Sequence, residues 1–184
     1  MEKANKQHNK ILWITRTGVL IAMLVTIQWA TAGTQAFAGQ YITGSLVNCV
    51  LALAAMFAGL WSGLAVALLS PFCAFLLGIG PALIQIVPCI ALGNSVFVVL
   101  LWVLAKKWCY WKVALAIPVA ATAKFVTLYV AVVKVLIPAM GTALKQSQVQ
   151  KFTAMFSLPQ LFTALIGGAL AFAIAPVIRK AIKN

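Results

Sequence analysis

The sequence is almost without acid. Among 184 residues there is one carboxylate side chain, Glu2, against 14 lysines and arginines, for a formal charge of +13. Charged residues of both signs make up 8% of the chain, where a soluble domain carries about 25%. Glu2 lies in a polar N-terminal stretch, so catalysis by paired carboxylates has no second partner. A proton relay through Asp, Glu and His is excluded as well, because the single histidine, His8, sits in the same stretch. Calcium or magnesium sites built from carboxylates have no ligands to draw on. The four cysteines, Cys49, Cys73, Cys89 and Cys109, are scattered, with no CxxC or Cys/His cluster, so neither a metal nor another cofactor is expected. No Walker or dinucleotide glycine loop occurs, and the chain carries no visible ATPase. It does not read as an enzyme.

What the chain has is apolar length. Hydrophobic residues make up 64% of it, in runs too long for the core helices of a soluble protein. At about 20 residues per span, there is room for six with short loops. The expected fold is an all-α membrane protein, one domain over 1–184, with a basic tail at 1–11 and spans at about 12–31, 43–60, 62–78, 84–105, 113–137 and 157–178. Pro138 ends the fifth span, and Pro159 opens the sixth, where a missing N–H breaks nothing. The run from 43 to 78 is broken only by Gly59-Leu60-Trp61-Ser62-Gly63, which reads as a tight turn at a membrane surface. The segments at 32–42 and 139–156 read as the longest outer loops.

The basic residues set an orientation. Lys3, Lys6, Lys10 and Arg16, then Lys106, Lys107 and Lys112, then Arg179, Lys180 and Lys183 all fall on one side of a six-span chain, and only Lys145 and Lys151 fall in the loops opposite. Both termini are therefore expected in the cytoplasm. Trp13, Trp61, Trp102, Trp108 and Trp111 fall near that side, and Trp29 and Tyr41 near the outer one, where amphipathic rings settle.

Lys124 is the sharpest chemical signal. It lies about 16 Å from either end of the fifth span at 1.5 Å per residue, too deep for its stem to snorkel out easily. A charge at that depth costs about 2.5–3.5 kcal/mol on insertion scales. Ala116, Ala120, Thr127, Ala131 and Lys134 share its side at helical spacing, a small and polar stripe that suits the bundle interior. With no carboxylate in the membrane to pair with, Lys124 points to an anionic ligand; the competing reading is a lysine satisfied by backbone carbonyls or neutralised by burial. Asn94 sits at similar depth in the fourth span. Gln160 opens the sixth on a face with Ala164, Gly167 and Ala171, and Gln85 lies at the outer start of the fourth. Asn48 shares a small face with Ser45, Ala52 and Ala55 and reads as an interhelical hydrogen bond, a contact that averages about 0.6 kcal/mol. Gln28 and Gln40 are weaker candidates, and Tyr129 reads as packing. Gly18 and Ala22 form a small-xxx-small pair that suits close approach of another helix, within the chain or from a partner.

An anion-binding membrane protein with no coupling carboxylate and no ATPase of its own suggests a subunit that borrows its energy. In that light the chain resembles the substrate-binding S components of energy-coupling factor (ECF) transporters, a class of ABC importers. The resemblance is carried by Arg16-Thr17-Gly18-Val19-Leu20-Ile21-Ala22, Thr43-Gly44-Ser45-Leu46-Val47-Asn48, Leu92-Gly93-Asn94, Ser157-Leu158-Pro159-Gln160 and Gly167-Gly168-Ala169-Leu170-Ala171, and it covers nearly the whole chain. It implies capture of a vitamin-like micronutrient near the outer face of a bacterial plasma membrane, by helices four to six and the outer loops. That places Gln85, Asn94, Lys124, Thr127 and Gln160 in or near the expected pocket. It also implies an AxxxA docking motif on the first helix, matched here as Gly18 and Ala22, for a transmembrane coupling subunit that works with two cytoplasmic ATPases. The expected partners are thus that module, the substrate and membrane lipid, with no nucleic acid. The scarcity of acids argues against a strongly cationic substrate, and Lys124 favours one that is anionic and partly apolar. A non-transport membrane scaffold and a solitary secondary carrier are the other readings the sequence leaves open.

Overall fold

The computed structural model describes residues 2–32, 37–79, 81, 83–105 and 109–183, and no strand occurs among them. Lys106, Lys107 and Trp108 lie outside the described residues. Helix α1 (Glu2–Thr31) starts at the second residue, so the basic segment expected as a tail is an extension of the first helix. No glycine or proline precedes Gly18, and lysine and glutamine are good helix formers. Its apolar stretch is Lys10–Thr31.

Helix α2 (Phe37–Leu53) begins six residues ahead of the expected 43 and continues into a π-helical segment, Ala54–Ala58. The chain then reverses on Gly59 alone, at φ +89°, a backbone region that a Cβ disfavours. Helix α3 (Leu60–Leu76) starts at the next residue, and the Gly63 N–H already donates to the Gly59 carbonyl at 3.0 Å. The turn expected over 59–63 is therefore one residue wide, and Leu60 to Gly63 form the first turn of α3. Helix α4 (Ile86–Ala105) takes Pro88 in its first turn, where no intrahelical bond is lost. Helix α5 (Tyr110–Leu128) runs on through a π-helical segment, Tyr129–Leu136, into a final turn, α6 (Ile137–Met140). This fifth pass is six residues longer than 113–137, three at each end. Much of the segment expected as an outer loop at 139–156 is helical: α7 (Gln146–Met155), whose start is closed by the Lys145 N–H donating to Gln148 Oε1 at 3.0 Å. Helix α8 (Leu158–Lys183) carries the last pass. Five of these passes are long and apolar enough to cross a membrane, and Leu60–Leu76 is a shorter apolar helix between them.

The main core lies between α2, α3, α4, α5 and α8, around Leu51, Val66, Phe97, Leu101, Val113, Ala120 and Ala171. α8 lies along α2 more extensively than any other pair of helices. The reason is Gly167: a Cβ there would collide with the Ser45 carbonyl oxygen and with Asn48 Cβ, so the two backbones close on a position only glycine fills. A second, smaller cluster of Ile86, Leu128, Val132, Phe152 and Phe156 packs α7 over the π-helical end of the fifth pass. α1 is peripheral. It packs on α3 and α2, while Ile11, Ile14, Val19 and Trp29 stay exposed. Trp13, Trp61 and Trp111 are exposed near span ends, whereas Trp102 is half-buried.

Candidate functional site

Lys124 is buried, at 3% exposure, on the inner stripe of α5. That stripe runs Ala116, Ala120, Lys124, Leu128 and Val132, one residue in four. The sequence reading carried it from Lys124 through Thr127, Ala131 and Lys134 instead. Past Leu128 the wider π-helical turn, with i→i+5 bonding, holds the inner edge on Val132. Thr127, three residues on from Lys124 and one short of Leu128, lies off that stripe and is half-buried. Its hydroxyl donates to the Ala123 carbonyl of its own helix at 2.8 Å, and it lines an open groove on the outside of α5 with Pro118, Val119, Thr122 and Val126. Lys134 is exposed, with its ammonium 5.8 Å from the Tyr129 ring.

At mid-bundle the Lys124 ammonium donates to Asn48 Oδ1 at 2.5 Å and to Asn94 Oδ1 at 2.7 Å. The face of Phe97 lies 5.6 Å from the nitrogen. One cation thus ties α5 to α2 and α4. Asn48 Nδ2 in turn donates to Thr163 Oγ1 on α8 at 3.4 Å, and the Thr163 hydroxyl donates to the Gln160 carbonyl at 3.2 Å. The two amide oxygens are neutral dipoles. They solvate the ammonium but do not cancel its charge, and a buried charge without a counter-ion is unfavourable. Glu2 is the one acidic side chain in the sequence, and no carboxylate lies beside Lys124 among the described residues. An ammonium has three N–H groups, and two have partners among the described residues.

The sequence profile of one family, described as the substrate-specific component of ECF transporters, matches residues 13–179. The chain belongs to this family. No curated protein and no solved structure matches it. An S component is a multi-pass, substrate-binding membrane subunit of an ECF transporter and is not itself catalytic, and the helical bundle described above is the form this one takes.

Of the residues singled out from sequence, the fold brings Asn94 directly onto Lys124. Gln160 joins the cluster through its backbone, while its side chain donates to the Met155 carbonyl at 3.1 Å, as does that of Gln40 at 3.0 Å. Gln85 is exposed in the turn before α4 and is not brought to Lys124. Gly18 and Ala22 sit on the exposed side of α1, and a Cβ at Gly18 would have nothing within 4 Å. Asn48 makes the interhelical hydrogen bond expected of it, but with Lys124, which makes it part of the S component's polar centre. Its signal was depth: Asn48, Asn94 and Lys124 each lie close to the midpoint of an apolar pass. Thr163 was missed, since one threonine among several carries no periodic mark.

Proposed function

We propose that this S component captures a small anionic, partly apolar micronutrient for import, with Lys124 as the anion-binding residue and Asn48 and Asn94 as the groups that aim it. The observation that carries the reading is the buried ammonium held by two neutral oxygens in a bundle with no carboxylate. The ten basic residues grouped at one end by sequence support cytoplasmic termini in a bacterial plasma membrane. Lys134, Lys145 and Lys151 then stand toward the outer side with no acid beside them, a field that draws anions in. The exposed Gly18–Ala22 face supports docking of the transmembrane coupling subunit, whose two ATPases supply the energy.

The test begins with mass spectrometry of small molecules carried through purification, followed by titration of the identified compound into the wild type and Lys124→Met. Loss of binding by about a hundredfold or more, about 2.7 kcal/mol, with helicity intact is the expected result. Unchanged affinity overturns the reading. A second reading has Lys124 as an interhelical tie alone, favoured by its 3% exposure. That reading expects Lys124→Met to change stability and leave the affinity of the folded protein alone.

A further inference from the structure

The hydrogen bonds around Lys124 run in one direction. An ammonium can only donate, so Asn48 must turn its oxygen toward Lys124 and its NH2 toward Thr163. The single hydroxyl proton of Thr163 goes to the Gln160 carbonyl, which can only accept. Thr163 therefore receives the Asn48 NH2 on a lone pair. With a donor-only group at one end and an acceptor-only group at the other, the Asn48 amide cannot flip without losing both contacts. Asn94 is fixed in the same sense by its own bond to the ammonium.

A ligand thus meets one charged donor flanked by two carbonyl oxygens, each with a second lone pair unused by Lys124. A bare anion on the third N–H would face the negative ends of both amide dipoles. Tetrahedral geometry at nitrogen places its oxygen about 4.5 Å from each Oδ1. An anion with an O–H or N–H on the neighbouring atom avoids that conflict. Its charged oxygen takes the ammonium at about 2.8 Å while its own donor reaches an amide oxygen at about 2.7 Å. With the 2.5 and 2.7 Å ammonium–amide contacts already in place, these lengths close a four-atom circuit.

We infer that the ligand is an anion bearing a hydrogen-bond donor on the atom beside its charged group, received by the amide oxygen of Asn48 or Asn94. The inference rests on the anion site proposed at Lys124.

Three monocarboxylates with one apolar body test it on the purified full chain in detergent, at millimolar concentration, by ligand-induced thermal shift: phenyllactate (a donor beside the carboxylate), phenylpropanoate (nothing there) and phenylpyruvate (an acceptor there). Phenyllactate is expected to bind roughly fivefold tighter than phenylpropanoate, the worth of one neutral hydrogen bond, with phenylpyruvate weakest. Equal affinities in the wild type, or phenylpropanoate binding tighter than phenyllactate, overturn the inference. If Lys124→Met still abolishes binding of all three, the anion site stands without it. Wild-type-like binding of all three by Lys124→Met, or no binding by the wild type, overturns both.

Discussion

Asn48→Asp would supply what the sequence lacks, a carboxylate at the depth of Lys124. The change is nearly isosteric and puts a negative charge where Asn48 Oδ1 now accepts from the ammonium at 2.5 Å. The fold should survive, because the new attraction offsets the cost of burying the carboxylate. Ligand binding should not survive. An anionic oxygen on the remaining N–H would lie about 4.5 Å from the new carboxylate, and at an effective dielectric of about 20 that repulsion is about 3.7 kcal/mol, roughly 500-fold in Kd. The ammonium would also no longer present an uncompensated charge. The measurement is calorimetric titration of the co-purifying compound into wild type and Asn48→Asp, with thermal unfolding in the same detergent as the control for folding. Asn94→Asp, whose oxygen sits 2.7 Å from the ammonium, should behave alike. A well-folded Asn48→Asp protein that binds within tenfold of the wild type would refute the claim that Lys124 holds an anion.

Leucine at both Gly18 and Ala22 adds bulk to an exposed face, where a Cβ at Gly18 would meet nothing within 4 Å among the described residues. Thermal stability and ligand affinity should stay at wild-type values, while co-purification with the coupling subunit is lost; recovery of the intact complex would remove that face from the docking surface. Gln28 is buried with Oε1 lacking a partner among the described residues, so Gln28→Leu should stabilise the protein by about 1 kcal/mol, and a lower unfolding temperature would show that the oxygen is in fact satisfied.

The passes were legible because lipid demands continuous apolar length, and that demand leaves a mark in any sequence. Their edges were not, for reasons that differ from place to place. Residues 2–11 are helical although polar, since helix formation needs propensity and hydrogen bonds, not hydropathy. The helical α7 was hidden for the same cause. At the turn, five residues looked dispensable, but one glycine with positive φ suffices. In the site, Lys124 and Asn94 stood out because a polar group in an apolar run needs a reason. Thr127 was placed beside them by extending ideal helical spacing from Lys124. Which edge of α5 faces inward is decided by what packs on it, Gly93 and the α4 face above Leu128, and one helix read alone does not contain that. Gln85 was placed by depth along its span, yet the chain is still in a turn there and leaves the side chain outside.

The missing acids bear on energy as well as on ligand charge. A lysine paired with an aspartate within the bundle would be a neutral unit, able to trade a proton between its members and so to couple transport to a proton gradient. Two asparagines give the ammonium the same number of oxygen contacts with no net charge and no proton to exchange. On the proposed reading the bundle holds a positive centre in a medium of low dielectric, and an anion that entered would meet its counter-ion instead of adding an unpaired charge. The two asparagines themselves offer no proton to exchange. In an ECF transporter a proton-coupled route is not needed, because the S component works with subunits that hydrolyse ATP; the absence of carboxylates that leaves Lys124 uncompensated is consistent with a bundle that only binds while others do the work.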